Sequence, residues 1–390
     1  MNHTCRIILV ALLITCLTNC TSRSEDSWTR ELTDPDGIRV VENRADQRIV
    51  DTSLPVLELE DVVVIGGAGE YEESMIPSPY PNVTRIAIGP SGQIGFVDVR
   101  VPEVCVHDSL GQFLWKAGRR GEGPGEFRGA QHLQYLEDIG WMVMSFEKYL
   151  IYSVDGILRD TRSVLELPFL FGASRFHFFP SGELWYRHAT PAFSGIGEWQ
   201  LLWGNWNTLE STEIISGIIQ ERVSQGGKYY LFQYPFSMAY DSGGRAWVNS
   251  KLEYEIEILE PGNSGHWRVR LDHKLHRYSR KERMHAQTIR VGQIGENPIY
   301  ERLTKFRPAI QGLNWIGPDQ LWVFTTVEVD SPMVQVDVFN AEGIYQSSFS
   351  ADASLRHARI SGDVLWRLDE TSDGFPVLIQ SRYEVVPKSR

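Results

Sequence analysis

Six short segments of this chain share one pattern of polar and hydrophobic positions. In each, a polar turn that contains Gly or Asp leads into a run of aromatic, aliphatic or β-branched residues, a pattern typical of strands. The six segments are PSGQIGFV (90–97), LEDIGWMV (136–143), PSGELWYR (180–187), DSGGRAWV (241–248), GPDQLWVF (317–324) and ISGDVLWR (360–367). The pattern predicts a turn followed by a strand at six places.

The spacing of these segments predicts the fold. Their equivalent hydrophobic positions lie 47, 43, 62, 75 and 44 residues apart. The positions are Ile94, Trp141, Leu184, Ala246, Leu321 and Leu365. A period in the mid-forties, built of strands and turns, is typical of the four-stranded blades of a β-propeller. We therefore predict an all-β chain that forms a six-bladed β-propeller of four-stranded blades.

The two ends of the chain complete this prediction. The last blade, over 357–386, has only three clear strands, and the strand-like run PVLELEDVVVI at 55–65 supplies a fourth. Pairing the two would close the ring and remove an open sheet edge. The predicted domains are a signal peptide at 1–19, a polar tether at 20–53 and the propeller at 54–390.

The two long intervals mark insertions between blades. The second insertion, at 266–307, has eleven Lys or Arg against four Asp or Glu, and around 279–288 it has the pattern of a short helix. One interpretation is a basic lid or docking segment. The other, which we favour, is a solvated connection whose Lys and Arg stems cover apolar surface.

The N-terminus has the pattern of an export signal. The apolar run at 7–14 is shorter than the roughly 20 residues that span a bilayer, and it fits a signal peptide. Residues 17–20 (LTNC) resemble a bacterial lipobox, although Asn19 departs from the usual small residue before the cysteine. Cys16 is an alternative lipidation site. The alternative to a lipoprotein is an ordinary cleaved signal peptide. We predict a lipoprotein lipidated at Cys20, anchored in the cell envelope and, because no Asp follows the cysteine, in the outer membrane.

Charge and cysteine content exclude some binding partners and crosslinks. The net charge of −12 argues against nucleic acid, because phosphate binding needs a basic footprint. Cys105 would be the one cysteine left after processing, so no intrachain disulfide is expected, and its strand-like surroundings predict a small buried hydrophobe. We expect a monomer.

The segment GRRGEGPGEF at 118–127 resembles the signature between blades of NHL-like six-bladed propellers. The resemblance covers about residues 55–386, and the full signature occurs once. Together with the lipobox, it is similar to the bacterial lipoproteins of this group. The segment 118–127 lacks the Gly-Lys-Ser/Thr of a phosphate loop, so we interpret it as a connector between blades. In this connector Pro124 would fix one φ angle, and Phe127 would fill the space between two blades.

The predicted channel mouth carries the candidate binding site. Counting back from each turn gives one ring position in every blade: Arg85, His132, Arg175, Phe236, Gly312 and Arg356. Three arginines and a histidine would form a collar that binds an anion, because guanidinium binds carboxylate or phosphate through two hydrogen bonds. Alternatively, each arginine pairs with a neighbouring carboxylate or faces solvent.

An enzyme is the rival interpretation. The resemblance extends to lactonases and lyases that hold a divalent metal in the channel. His177 and His188 are isolated in the sequence, and the pair His273 and His276 supplies two ligands where a metal needs three or four. We therefore predict a binding module for a small anionic ligand or an envelope protein, with no metal or cofactor. The alternative is a metal-dependent, lactonase-like hydrolase or a lyase.

Overall fold

The computed structural model of the protein describes residues 29–44, 54–66, 86–97, 102–145, 148–163, 173–189, 196–205, 207–208, 210–225, 228–273, 275–294, 297–325, 333–373 and 376–387. These residues form an all-β chain with 29 strands and one short α-helix, α1 (Arg280–Ala286). None of the described helices has the length and apolar character needed to cross a membrane.

In chain order the strands are β1 (Thr29–Thr33), β2 (Arg39–Asn43), β3 (Val56–Gly66), β4 (Ile86–Ile88), β5 (Ile94–Val97), β6 (Val104–His107), β7 (Phe113–Ala117), β8 (Ala130–Leu136), β9 (Gly140–Ser145), β10 (Lys148–Tyr152), β11 (Leu158–Ser163), β12 (Ala173–Phe178), β13 (Glu183–Ala189), β14 (Ile196–Asn205) and β15 (Glu210–Gln225). They continue with β16 (Lys228–Gln233), β17 (Ser237–Tyr240), β18 (Ala246–Asn249), β19 (Glu255–Leu259), β20 (His266–Leu271), β21 (Arg290–Ile294), β22 (Asn297–Arg302), β23 (Ile310–Ile316), β24 (Gln320–Thr325), β25 (Met333–Asn340), β26 (Tyr345–Asp352), β27 (Arg359–Ser361), β28 (Val364–Glu370) and β29 (Pro376–Val386).

Two of the described sheets are antiparallel meanders of four strands. Strands β4 to β7 form one such sheet and β8 to β11 form another, each in chain order. The second and third strands of the second sheet are buried along their whole length, whereas its fourth strand, β11, alternates with solvent. This gradient of burial runs from the inside of the molecule to its outside.

The first strands of successive units form a ring. Strand β4 contacts β8, β8 contacts β12, β17 contacts β23, β23 contacts β27, and β27 returns to β4. Between β12 and β17, the rings of His177 and Tyr240 stack with centroids 4.4 Å apart. The described strands therefore surround a common axis in the manner of a β-propeller.

Hydrophobic packing between neighbouring sheets follows the sequence pattern. The six equivalent positions that the spacing predicts, from Ile94 to Leu365, are all fully buried. Trp141 shows how tight this packing is, because a Cβ added to Gly95 would lie 2.3 Å from its ring. The core is a set of such layers between sheets.

The strand predicted at 55–65 is present as β3, and it pairs as expected. It runs antiparallel to β29 from the pair Val56 and Val386 to the pair Gly66 and Val377. A strand from the beginning of the chain thus completes the sheet of β27 to β29, and its other edge also touches β26.

Part of the segment predicted as a polar tether forms a hairpin on the domain. Strands β1 and β2 pair with each other, and β2 lies parallel to β20, the outer strand of the sheet β17–β20. The side chain of Asn43 also reaches the next sheet, donating to the carbonyl of Gly343 at 3.0 Å and accepting from the amide of Tyr345 at 3.0 Å. This segment alternates polar residues around a short apolar pair, Val40 and Val41, so its sequence gives little sign of a buried strand.

The basic insertion divides into two parts with different roles. Its first residues form β20, where Arg268 and Arg270 pair with carboxylates inside the sheet. The predicted short helix is α1, capped by reciprocal hydrogen bonds between Ser279 and Glu282. Strands β16, β22 and β21 extend the sheet that begins at β12.

The loop 118–127 has the connector structure that the sequence predicted. Phe127 is fully buried, and its amide donates to the carbonyl of Arg119 at 2.9 Å. Gly118 adopts a φ of +96°, and a Cβ there would lie 2.5 Å from the Phe127 ring. Cys105 is a buried free thiol, as expected from its strand.

Candidate functional site

The ring of first strands encloses a cavity of about 300 Å³, here called the channel cavity. Every first strand contributes to its wall. The lining residues are Ile86, Ala87, Ile88, His132, Leu133, Gln134, Tyr135, Phe176, His177, Met238, Ala239, Tyr240, Leu313, Asn314, Trp315, Ala358, Arg359 and Ile360. Most of the lining residues are apolar or aromatic, and polar atoms make up about half of the surface that they expose to the cavity.

The charge of the channel cavity is one-sided. Arg359, at the start of β27, is the one cationic side chain among the lining residues that the structure describes, and none of those residues is acidic. The other polar side chains are amides, histidines, the hydroxyls of Tyr135 and Tyr240, and the Trp315 indole. The indole nitrogen of Trp315 is buried without a hydrogen-bond partner in the described part of the chain.

Hydrogen bonds fix the state of His132. Gln134 bonds the backbone of Phe178 on the next first strand twice: its amide nitrogen donates to the carbonyl, and its oxygen accepts from the amide, both at 2.9 Å. That oxygen also lies 3.3 Å from Nε2 of His132, so Nε2 carries the hydrogen. Nδ1 is left as a buried lone pair without a partner among the described residues.

Burial keeps His132 neutral. The ring lies against Phe176 and Phe178, with both centroids 5.8 Å away. Desolvation lowers its pKa to about 3; the hydrogen bond to Gln134 opposes the shift, and the charges of Arg359 and His177 add to it. His132 is therefore an uncharged, firmly placed part of the wall.

His177 is the second histidine of the channel cavity. Its ring stacks on Tyr240 at 4.4 Å and meets the edge of Phe179 at 4.8 Å. Burial lowers its pKa to about 4, the charge of Arg359 lowers it further, and Asp241 opposes the shift. Both histidines thus feel the positive charge of Arg359, which shows that the three groups share one electrostatic environment.

The residues predicted for the collar divide between three locations. His132 lies in the channel cavity. Arg356 is exposed in the 3₁₀ helix Ala353–His357, where its Nη1 donates to Gln311 at 3.1 Å and its Nε to His357 at 2.9 Å, and it is not a lining residue. Arg85 lies outside the described residues, and so does the side chain of Arg175, whose backbone is on β12. The complete collar stays a prediction.

The length of β27 explains why the sequence predicts Arg356 and not Arg359. This strand has only three residues, so counting back from its turn by the same distance as in the other units ends in the preceding 3₁₀ helix, at Arg356. Arg359 is paired with Trp366 in the same way that His177 is paired with Trp185, so Arg359 and His177 hold equivalent positions. Aligning strand pairs would have found Arg359.

The histidines proposed for a metal do not come together. Among the described residues, no group of three or more His, Cys, Asp or Glu side chains has the arrangement of a metal site. His273 and His276 lie between β20 and α1 with ring centroids 5.9 Å apart. His188 is at the end of β13, away from the residues that line the channel cavity.

A second cavity, of about 740 Å³, lies between the N-terminal hairpin and the sheet of β17–β20. Its lining mixes both charges, including Arg30, Glu42, Glu255 and Arg270. Glu255 pairs with Lys251 and Arg270, and Arg30 pairs with Glu42, so these four lining charges have partners within the protein. It is therefore a weaker candidate for a ligand than the channel cavity.

Comparison with known proteins identifies no family for this chain. No protein-family model matches the sequence, and no curated protein matches it. Similar solved structures include a candidate exported protein from Bacteroides fragilis (12% identity, 88% of this chain and 99% of that one, TM-score 0.49). Others are the PQQ-bound aldose sugar dehydrogenase of Streptomyces coelicolor (12%, 85% and 99%, 0.43) and a gluconolactonase from Xanthomonas campestris (10%, 86% and 98%, 0.36). At these values no argument rests on them, and the NHL-like family stays a prediction from the sequence motif.

Proposed function

We propose that this chain is an exported, lipid-anchored six-bladed propeller that binds a small organic anion in the channel cavity. The observation that carries the proposal is the channel cavity itself, which every first strand lines and which combines apolar and aromatic side chains with Arg359 and uncharged polar groups. The volume of about 300 Å³ suits a small molecule.

The wall indicates the chemistry of the ligand. A guanidinium binds a carboxylate, sulfonate or phosphate with two parallel hydrogen bonds, and it does so more strongly where water is excluded. The apolar residues of β4 and β8 and the rings of Tyr240 and Trp315 would cover the rest of the ligand. We therefore propose an anion on a flat or apolar body.

Binding can be tested with a matched pair of arginine variants. A panel of small aromatic and aliphatic carboxylates and sulfonates is screened by thermal shift, and hits are measured by titration calorimetry. Arg359→Gln should weaken binding at least about tenfold, because a charge-assisted pair is worth roughly 1.5–3 kcal/mol. Arg356→Gln, an exposed arginine three residues earlier, should bind like the wild type. Equal loss in both variants, or no Arg359-dependent ligand, would reject the proposal.

The same purified protein also tests the enzyme alternative. A stoichiometric divalent metal, removable by chelator and required for hydrolysis of lactones, would support the metal-dependent hydrolase instead. Residues 1–28, which hold the export signal, lie outside the described part of the chain. The anchor is tested by radiolabelled palmitate incorporation, which Cys20→Ala should abolish and Cys16→Ala should leave intact.

A further inference from the structure

We propose that the part of the basic insertion around α1 docks on the membrane, at a bilayer surface that contains anionic phospholipid. The inference rests on the lipid anchor of the proposed function, because it concerns the surface that the anchor would bring to the bilayer. That surface, here called the basic tip, consists of exposed side chains on α1 and on the residues that follow it. They are Arg280, Lys281, Met284, Ile289, Arg290 and Val291.

The packing of α1 decides which of its side chains face solvent. Ala286 is buried, and Glu282 forms an ion pair with Arg307 on the segment that leads into β23. Positions three and four apart share one side of a helix, so these residues mark the inner side. The three members of the basic tip on α1 lie on the other side, where the large apolar side chain of Met284 is 59% exposed.

The residues after α1 add two more apolar side chains to this surface. Ile289 and Val291 are 40% and 38% exposed. The backbone of Ile289 is fixed on both sides, since its amide donates to the carbonyl of Ala286 and its carbonyl accepts from the amide of Glu301, each at 2.9 Å. Apolar side chains held out among cations are typical of surfaces that bind at a membrane interface, and a purely solvated connection does not account for them.

The charge of the basic tip fits an anionic surface. Residues 274–290 hold six Lys or Arg and one acidic residue, Glu282, in a chain of net charge −12. Glu282 is already paired with Arg307, and within the described part of the chain no ion pair engages Arg280 or Lys281. Because anionic lipids attract Lys and Arg, this side of an otherwise acidic protein is the one suited to approach them.

The N-terminal hairpin begins at the same end of its sheet as the basic insertion leaves it. Thr29, the first residue of β1, pairs with Asn43, and Asn43 pairs with Leu271, the last residue of β20. Arg30 and His273 line one cavity there, so the beginning of the hairpin and the segment that leads to α1 are neighbours.

The chain between the predicted lipid and this end of the sheet is short. The nine residue steps from Cys20 to Thr29 span at most about 30 Å when fully extended. A lipid on Cys20 would therefore hold the end of the sheet from which the insertion continues within that distance of the bilayer. This position, together with the exposed apolar side chains, favours a bilayer over an acidic protein as the partner of the basic tip.

Vesicle binding without the lipid tests the basic tip alone. The exported protein with Cys20→Ser carries no lipid, and it is sedimented with vesicles of phosphatidylcholine, pure or with about one third phosphatidylglycerol. We expect binding to the anionic vesicles only, and weaker binding at high salt because exposed charges are screened. Lys281→Glu should weaken this binding at least about fivefold, since each basic residue near such a surface contributes about that factor.

A matched variant separates the basic tip from the overall charge. Lys281→Glu should leave α1 folded, because an acidic residue is favourable in the first turn of a helix. Arg159→Glu makes the same change of charge near the beginning of β11, a fourth strand whose beginning corresponds to that of β20, at the opposite end of its sheet from the basic tip. It should bind like the parent protein. Equal losses in both variants, or equal binding to both kinds of vesicle, would overturn the proposal.

A fluorescent label shows which side meets the bilayer. In the Cys20→Ser protein, Met284→Cys or Ile157→Cys is labelled with an environment-sensitive dye, and Cys105 stays unlabelled because it is buried. Ile157 is 67% exposed in the turn between β10 and β11. Anionic vesicles should shift the emission of the dye at 284 to the blue and leave the dye at 157 unchanged. Equal shifts, or no shift at 284, would contradict docking through the basic tip.

The vesicle experiments and the palmitate experiment fail independently. Palmitate on Cys20 in a protein that binds no anionic vesicles would reject the basic tip and keep the anchor. Vesicle binding through Lys281 in a protein that takes up no palmitate would reject the anchor and keep the basic tip. Neither result depends on whether an anion binds in the channel cavity.

Discussion

Two regions of this protein contain arginine in a semi-buried setting, and their surroundings are opposite. In the hairpin ion cluster (Asp34, Lys251, Glu255, Glu257, Arg268 and Arg270), Arg268 pairs with Asp34 and Glu257 across the contact between the N-terminal hairpin and the sheet of β17–β20. In the channel cavity, Arg359 lies among lining residues that include two neutral histidines.

The difference distinguishes an arginine with a structural role from one that we propose binds a ligand. Burying a charge is costly unless an opposite charge is supplied nearby. The hairpin ion cluster supplies carboxylates from its own strands and turn, so Arg268 holds the hairpin against the sheet. The channel cavity lowers the pKa values of its two histidines and so keeps them neutral.

The largest expected effect is on the hairpin ion cluster. Arg268→Met removes the partner that Asp34 and Glu257 share while Lys251 and Arg270 remain, and we expect it to lower the free energy of unfolding by about 2–3 kcal/mol. Arg359→Met, which removes the same charge from the channel cavity, should lower it by less, because the role that we propose for Arg359 is to bind a ligand. Urea denaturation of the two variants measures this contrast. Similar destabilisation by both would mean that Arg359 is also structural.

The next largest effect is the loss of folding stability in acid that the two histidines of the channel cavity cause. The pKa values of His132 and His177 are about 3 and about 4 in the folded protein, below the ordinary value near 6.5. Below about pH 6.5 the unfolded chain takes up protons that the folded cavity does not, so stability falls as the pH drops towards 4. At pH 5 we expect a loss of about 2 kcal/mol from His132, which His132→Gln should remove from urea titrations run between pH 7.5 and 5.

The hairpin ion cluster should lose its contribution at lower pH. Backbone hydrogen bonds from Ile38 and Asp36 and the nearby Arg268 lower the pKa of Asp34, and Lys251 and Arg270 lower that of Glu255 although its burial opposes them. A carboxyl group with a lowered pKa stabilises the fold until the pH falls through that value, so this loss begins below about pH 4. We expect the histidines to lose their contribution at a higher pH than the hairpin ion cluster. If substituting His132 or His177 left the loss of stability above pH 4 unchanged, this order would be wrong.

The smallest expected difference in stability is between alanine substitutions of two asparagines. Asn43 is almost fully buried and links the hairpin to Gly343 and Tyr345, so Asn43→Ala should cost about 1–2 kcal/mol through lost hydrogen bonds. Asn314 is only half-buried in the channel cavity, with a 3.3 Å bond to the carbonyl of Leu355, and Asn314→Ala should cost less than about 1 kcal/mol. Thermal unfolding of both variants gives the comparison, and a larger cost at Asn314 would reverse it.

The sequence predicts the architecture better than the site, for a physical reason. Positions such as Trp141 and Leu184 repeat because every sheet must bury the same face against its neighbour, so periodicity reveals them. The hairpin at 29–43 has no repeat and only two buried valines, and its position depends on ion pairs with residues more than 200 positions away, such as Arg268.

The site depends on register, which bulges change without leaving a mark in the hydrophobic pattern. His132 was found from the sequence because it lies on a long first strand. Arg359 was missed because its strand is three residues long and follows a 3₁₀ helix that carries the more conspicuous Arg356.

The most direct test of the central claim is a crystal structure of the protein with 4-bromobenzenesulfonate, in which anomalous scattering from bromine locates the anion. We expect the bromine inside the ring of first strands, with the sulfonate on Arg359 and within reach of His177. A sulfonate bound instead to Arg270 in the second cavity, or a channel cavity without bromine at saturating concentration, would contradict the account.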